Sequence, residues 1–192
     1  RSDRVRVRCA DLSRVYRARC FTEALFPLAW GIPCRPELLD QPGGALKKLL
    51  GKITEGKPEY AYRIELRGDV KDRAGFIRAG VRAADRPGLF NAPSGYEAEL
   101  RIEMRGALMD VYAKLFLYED PRFAYRKQAL PASIQPATAA ALLRFAGELL
   151  KPGARVLDPC CGSGTMLIER GMLTPCASLT GVDIAHKAIG IA

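Results

Sequence analysis

The run ARVLDPCCGSGT over residues 154–165 constrains this chain more than any other stretch. A short apolar strand ends in an acid, Asp158, and PCCGSG is then a tight turn that opens a helix near Ser163 or Thr165. SLTGVD at 178–183 repeats the pattern: a buried strand ending in an acid, Asp183. Strand, glycine turn, helix and strand in that order open a doubly wound parallel sheet, whose ligand sits at the carboxyl ends of the strands. The turn has neither the Gly-x-Gly-x-x-Gly of a pyrophosphate loop nor the Gly-Lys-Ser/Thr of a triphosphate loop. Asp158 puts a negative charge at its mouth, which opposes a phosphate and favours an ammonium group. Gly162 and Gly164 let the backbone come close to a ligand. Asp183 stands where an acid at the second strand end bonds ribose hydroxyls.

The pattern upstream is of a different kind. RVRVRC at 4–9 alternates as a half-buried strand does, and YAYRIELR from Tyr60 alternates again with Tyr60, Tyr62, Ile64 and Leu66 inward. Between them the QPGG turn precedes a helix over 45–53 carrying Leu46, Leu49, Leu50 and Ile53. The spacing predicts a further helix over 71–84 with Ile77, Val81 and Ala84 as its apolar stripe, then two strands over 96–117 reversing at Gly106. Residues 1–117 therefore read as an α+β region. The stretch 118–136 contains three prolines and no clear period, and is the expected linker. From 137 a helix with Leu142, Leu143, Ala146, Leu149 and Leu150 leads, past KPG at 151–153, into the glycine-turn unit that runs to 192.

Composition narrows the partner. With 30 basic against 21 acidic residues the net charge is +9, and most of the basic residues are arginine, which forks onto phosphate and stacks on bases. Nucleic acid is the expected ligand of this surface, against the plainer alternative of a solvated basic face. Arg78, Arg82 and Arg86 fall at successive i, i+4 steps, where like charges repel unless an anion or the nearby acids Asp72 and Asp85 relieve them. Arg122, Arg126 and Lys127 lie beside Phe123 and Tyr125 in the linker, suited either to gripping RNA or to pinning the linker to a domain. Six cysteines without Cys-x-x-Cys spacing and a single histidine, His186, exclude a zinc or iron–sulfur framework; no metal is expected, and the thiols read as reduced and mostly core filler. No apolar run approaches the roughly 20 residues that span a bilayer, and no signal peptide is visible, so the expected setting is cytoplasmic, without a membrane partner.

A ligand with a cationic amino-acid end, a ribose and no phosphate is S-adenosylmethionine. DPCCGSGT followed by GVD, and preceded by LPASIQPATAAALL, resembles the Asp-Pro-x-Cys-Gly-Ser-Gly-Thr signature of THUMP-associated class I RNA methyltransferases, which act on the exocyclic N2 of guanine in tRNA or rRNA. The match covers about residues 122–192. The resemblance implies that Asp158, Pro159, Cys160, Gly162, Ser163 and Gly164 hold the methionine end, that Asp183 and Ile184 hold ribose and adenine, and that Pro136 and Thr138 help close the site. It also implies that the upstream region is THUMP-like and binds RNA. The whole reads as an α/β chain: an N-terminal α+β module followed by the start of a Rossmann-like methyltransferase domain.

One departure is large. The signature's catalytic string, Asn or Asp followed by Pro-Pro and Tyr or Phe, is absent, and the chain stops in the helix after the second strand. The expectation is a fragment of a longer enzyme, with its catalytic residues beyond Ala192 and little or no activity alone. Two rivals share parts of this pattern: a DNA amino-methyltransferase, and a noncatalytic RNA-binding module. The upstream α+β region and the basic linker favour RNA over DNA, and failure to bind S-adenosylmethionine with the missing residues restored would favour the noncatalytic module.

Overall fold

The computed structural model describes residues 4–54, 57–117, 120–128 and 130–192. The chain divides into two compact units, one of Ala24–Glu119 and one joining Arg1–Glu23 to Asp120–Ala192. The expected division had residues 1–117 as one region and 118–136 as the linker; here Arg1–Glu23 groups with Asp120–Ala192 instead.

The first unit is a five-stranded mixed sheet in the order β1-β5-β4-β2-β3, with two helices on one face. Its elements are β1 (Phe26–Pro33), α2 (Asp40–Ile53), β2 (Tyr60–Arg67), α3 (Arg73–Ala84), β3 (Leu89–Asn91), β4 (Ala98–Arg105) and β5 (Leu108–Leu115). β4 and β5 form the expected hairpin, Ala98 opposite Leu115 and Arg105 opposite Leu108. β2 runs parallel to β4, so the crossover through α3 is obligatory. β1 was not legible in the sequence, because its two prolines and a register broken at two places are permitted only on an edge strand.

α2 starts at Asp40, ahead of the expected QPGG turn: Pro42 sits in the first helical turn, where its missing N–H has no intrahelical partner to lose. α3 is capped by Asp72, whose carboxylate accepts from the Gly75 N–H at 2.8 Å. Its buried face is Phe76, Ala79, Gly80, Ala83 and Ala84, rotated from the expected stripe, with Ile77 turned outward. Small residues win that face because α2 and α3 touch there: a Cβ on Gly43 would lie 2.5 Å from the carbonyl oxygen of Ala83 and 2.9 Å from Cα of Ala84. A Gly43→Ala chain is expected to lose about 2 kcal/mol from this unit, the overpacking cost outweighing alanine's helix preference. Trp30, the single tryptophan, lies in this unit and reports its urea or thermal transition by fluorescence.

The core packs Leu39, Leu46 and Leu50 against Tyr62, Leu100, Ile102, Met109 and Val111, all essentially inaccessible. On the opposite face of β4, Glu99 is buried between Arg63 at 2.8 Å and Arg101 at 2.7 Å. Burial alone would push the Glu99 carboxyl up, but the two guanidinium hydrogen bonds outweigh it and hold the group below its usual range.

The second unit comprises α1 (Leu12–Tyr16), α4 (Pro136–Ala146), β6 (Ala154–Asp158), α5 (Thr165–Leu173), β7 (Cys176–Gly181) and α6 (His186–Ile189). β6 and β7 pair in parallel with Asp158 opposite Gly181. Residues 4–10 form no strand despite their alternation, and Val5 and Val7 are exposed. Of the cysteines only Cys161 is buried, while Cys9, Cys20 and Cys160 are exposed rather than core filler.

Candidate functional site

β6 delivers Asp158 to the carboxyl end of the parallel pair, and the chain then reverses through Pro159–Gly164 into α5. Gly162 and Gly164 take φ of +54° and +73°, which other residues adopt only with strain. The turn is laced to the residues after β7: the Val182 N–H donates to the Asp158 carbonyl at 2.9 Å, and the Cys161 N–H donates to the Val182 carbonyl at 2.9 Å. Gly181 permits this closeness, since a Cβ there would fall 2.7 Å from Cys161 Sγ. Burial first, then the charges of Asp158 and Asp183, push the Cys161 thiol up, so it is a neutral filler of the turn.

The two acids are held differently. Asp158 Oδ1 accepts only the Cys160 N–H, at 3.0 Å, among the hydrogen bonds described. Asp183 accepts with both oxygens, from the Ala185 N–H at 2.9 Å and the Gly162 N–H at 2.8 Å. These two backbone donors, Ala185 first, hold the Asp183 carboxyl below its ordinary value. It is an oriented anion, and each of its oxygens keeps a lone pair for a further donor such as a ribose hydroxyl. A Cβ on Gly162 would meet nothing within 4 Å, so the turn opens on free space there; on Gly164 it would lie 3.4 Å from Ala192 Cβ. Two carboxylates beside a glycine turn with an open flank suit a ligand with an ammonium group and a diol, so the residues present fit S-adenosylmethionine.

The remaining expected cofactor residues differ in exposure. Pro136 is buried at the start of α4 and Thr138 is exposed in its first turn. Pro159 and Cys160 are exposed, Ile184 is almost fully exposed beside Asp183, and Ser163 is buried. Ser163 reveals a residue that the sequence did not single out: its hydroxyl lies 3.2 Å from that of Ser133, which joins the segment before α4 to the turn. A lone serine thirty positions upstream carries no spacing signal. Among the described residues no cluster of His, Cys, Asp and Glu could hold a metal ion.

The six expected RNA-contacting residues belong to different units and meet different fates. Arg78 and Arg82 are exposed on α3, whereas Arg86 is turned onto the Asp40 carboxylate at 2.8 Å. In the second unit Lys127 is exposed and Arg126 is half-buried, its Nη1 3.4 Å from the Ile134 carbonyl. Arg122 takes the second of the two roles open to it, that of pinning the linker. Only 5% exposed, it forks onto Asp120 at 2.6–3.0 Å, donates to the Phe21 carbonyl at 2.9 Å and packs 3.7 Å from the centre of the Phe21 ring. Its donors are spent inside the protein, so it pins the expected linker rather than presenting a phosphate contact.

A parallel pair with an acid at the carboxyl end of each strand and a glycine turn between strand and helix is the opening of a Rossmann-like sheet. Residues 124–188 match the model of UPF0020, the RMKL-like methyltransferase domain. The chain is 37% identical over 95 residues to a tRNA (guanine(6)-N2)-methyltransferase of Thermus thermophilus, a match covering 48% of this chain and 27% of that relative. The crystal structure of TrmN from Thermus thermophilus superposes with a TM-score of 0.55 at 26% identity, covering 88% of this chain and 49% of that one. A predicted N6-adenine-specific DNA methylase from Listeria monocytogenes superposes with a TM-score of 0.59, but at 18% identity, over 85% of this chain and 45% of that one, it shares the fold alone. The chain thus spans about a quarter of the curated relative (27%) and about half of these solved structures. The resemblance to methyltransferases, read from the glycine turn, is borne out over residues 124–188. No helix among the described residues is long and apolar enough to cross a membrane.

Proposed function

We propose that this chain is the RNA-binding and cofactor-binding portion of an S-adenosylmethionine-dependent methyltransferase that modifies the exocyclic N2 of guanine in a tRNA or rRNA. The observation that carries the reading is an acid on each side of the open glycine turn, Asp158 accepting from the Cys160 N–H and Asp183 from the Gly162 N–H. Bound there, the cofactor supplies an electrophilic methyl group. The protein's part is to bind and orient: Asp158 neutralises the ammonium group, Asp183 accepts from the ribose hydroxyls, and Ile184 offers an apolar surface to the adenine. Pro136 and Thr138 flank the site from α4. The guanine-N2 substrate is supported by the tRNA methyltransferase relative.

The first unit is the THUMP-like part in this reading. Its exposed Arg78 and Arg82, with Lys127 of the second unit, supply phosphate contacts. No Pro-Pro pair occurs anywhere in the 192 residues, so the string that would orient the target amine is not among them. The chain by itself binds cofactor but does not turn over.

The experiment compares the 192-residue chain with a longer protein that contains it and carries such a string, each incubated with methyl-labelled S-adenosylmethionine and unmodified tRNA or rRNA, then digested to nucleosides. Label in N2-methylguanosine from the longer protein and none from the chain alone is expected. Turnover by the chain alone would overturn the second half of the reading, and label in another nucleoside, in DNA or in protein would overturn the first.

A further inference from the structure

Helix α5 leaves the cofactor turn at Thr165, and one turn further on it carries a fully buried acid, Glu169. A carboxylate at that depth needs partners, and it takes them from two other segments of the chain. Arg19 forks onto it, Nε to Oε2 at 2.9 Å and Nη2 to Oε1 at 2.7 Å. The Tyr125 hydroxyl donates to Oε1 at 2.7 Å. Arg19 also donates to the carbonyl of Arg122 and lies over the Phe123 ring, 5.1 Å from its centre. Arg122 is itself caged by Tyr16, Phe21 and Phe123. Residues 16–23, 120–125 and α5 are therefore tied at one point.

A second observation shows that the tie constrains the backbone. Arg19 is the one described non-glycine residue with positive φ, at +60°. Such a conformation persists only where its surroundings over-determine it, and it falls on the residue whose guanidinium holds Glu169. The next residue on α5, Arg170, is anchored separately, to the Lys151 carbonyl at 2.9 Å and the Thr174 carbonyl at 2.9 Å. The helix is thus clamped by its neighbours on both sides of one peptide bond.

We propose that Arg19, Tyr125 and Glu169 form a clasp through which the N-terminal segment positions the cofactor turn. None of the three touches the turn. They act through α5, whose first intrahelical hydrogen bond, Ile168 N–H to the Gly164 carbonyl at 2.9 Å, rises directly from it. The inference deepens the proposed function, since it makes cofactor affinity depend on a segment far from the cofactor motif in sequence. Arg19, Tyr125 and Glu169 are positioning residues.

The test uses the 192-residue chain with Arg19→Met and Arg19→Lys substitutions. Two quantities are read well below the melting temperature of each variant: the Kd for S-adenosylmethionine, and hydrogen exchange at the Cys161, Gly162 and Gly164 amides, all hydrogen-bonded in the turn. Arg19→Met is expected to raise Kd about tenfold, as coupling residues do, and to speed exchange at those amides by a similar factor. Arg19→Lys, which keeps the charge but loses the fork, is expected to fall between it and the native chain. The Trp30 transition of the other unit should not move. A lowered melting temperature with unchanged Kd and unchanged turn exchange would show a merely structural contact and overturn the clasp. Faster turn exchange in a chain whose native form binds no S-adenosylmethionine would support the clasp while refuting the cofactor assignment, so the two failures are distinguishable.

Discussion

An Asp183→Ala chain is expected to bind S-adenosylmethionine on the order of a hundredfold more weakly than the native chain, the scale of losing hydrogen bonds to a charged acceptor. Two losses coincide. The ribose hydroxyls lose their acceptor, and the Gly162 and Ala185 amides lose the carboxylate that orients them. Asp183→Asn, which keeps one acceptor oxygen, should fall between the two. Titration calorimetry on the three chains decides it, and equal affinity across them would remove Asp183 from the site.

The pH dependence of binding follows from the same geometry. Backbone donors depress the folded-state pKa of Asp183, so its anionic contribution is present above its ordinary value and is lost only as pH falls through the lower folded one. Affinity should therefore show no loss from this group between neutrality and about pH 4. A fall already complete at pH 5 would contradict the hydrogen bonding described.

Arg122→Ala is expected to lower the stability of the second unit by about 3 kcal/mol, near the lower bound for removing one member of a buried ion pair, because Asp120 is partly exposed. Hydrogen exchange or a melt followed by circular dichroism measures it. Lys127→Ala, five positions away and exposed, should change stability by less than about 0.5 kcal/mol and weaken RNA binding instead. Arg122 also governs part of the acid limb. Its hydrogen bonds, the largest cause, depress the Asp120 carboxyl, so the stabilisation is present above the ordinary aspartate range and is lost as pH falls through the lower folded value. Below about pH 4 the native chain should lose stability that the variant no longer has to lose. A variant as stable as the native chain, with reduced RNA affinity, would return Arg122 to the phosphate-binding set.

The contrast between Asp183 and Arg122 shows which kinds of feature a sequence discloses. The glycine turn was legible because its parts are close in sequence and each residue type answers a local demand, glycine for positive φ and an acid at a strand end, whereas β6 and β7, expected as buried strands, are half-buried to exposed. The β4–β5 hairpin was legible for the same reason, through alternation about Gly106. What the sequence determined by itself was therefore the local chemistry of 154–183, the hairpin, and the basic character of the chain.

Only the tertiary structure decided where the remaining charges go. The sequence left Arg122 and Arg86 open to an external anion or an internal partner; the fold spends both on internal partners, while Arg78, Arg82 and Lys127 stay exposed. Glu99 and Arg101 alternate with the core residues of β4 and are buried as a pair. The strand expected at 4–9 did not form, because alternation yields a strand only where a ladder partner exists. Arg19 and Glu169, 150 positions apart, meet in one hydrogen-bonded pair. A charged side chain carries no mark in the sequence of whether water or another part of the chain will solvate it. That choice is made by long-range packing, which brings the partner to it and sets the cost of leaving it alone.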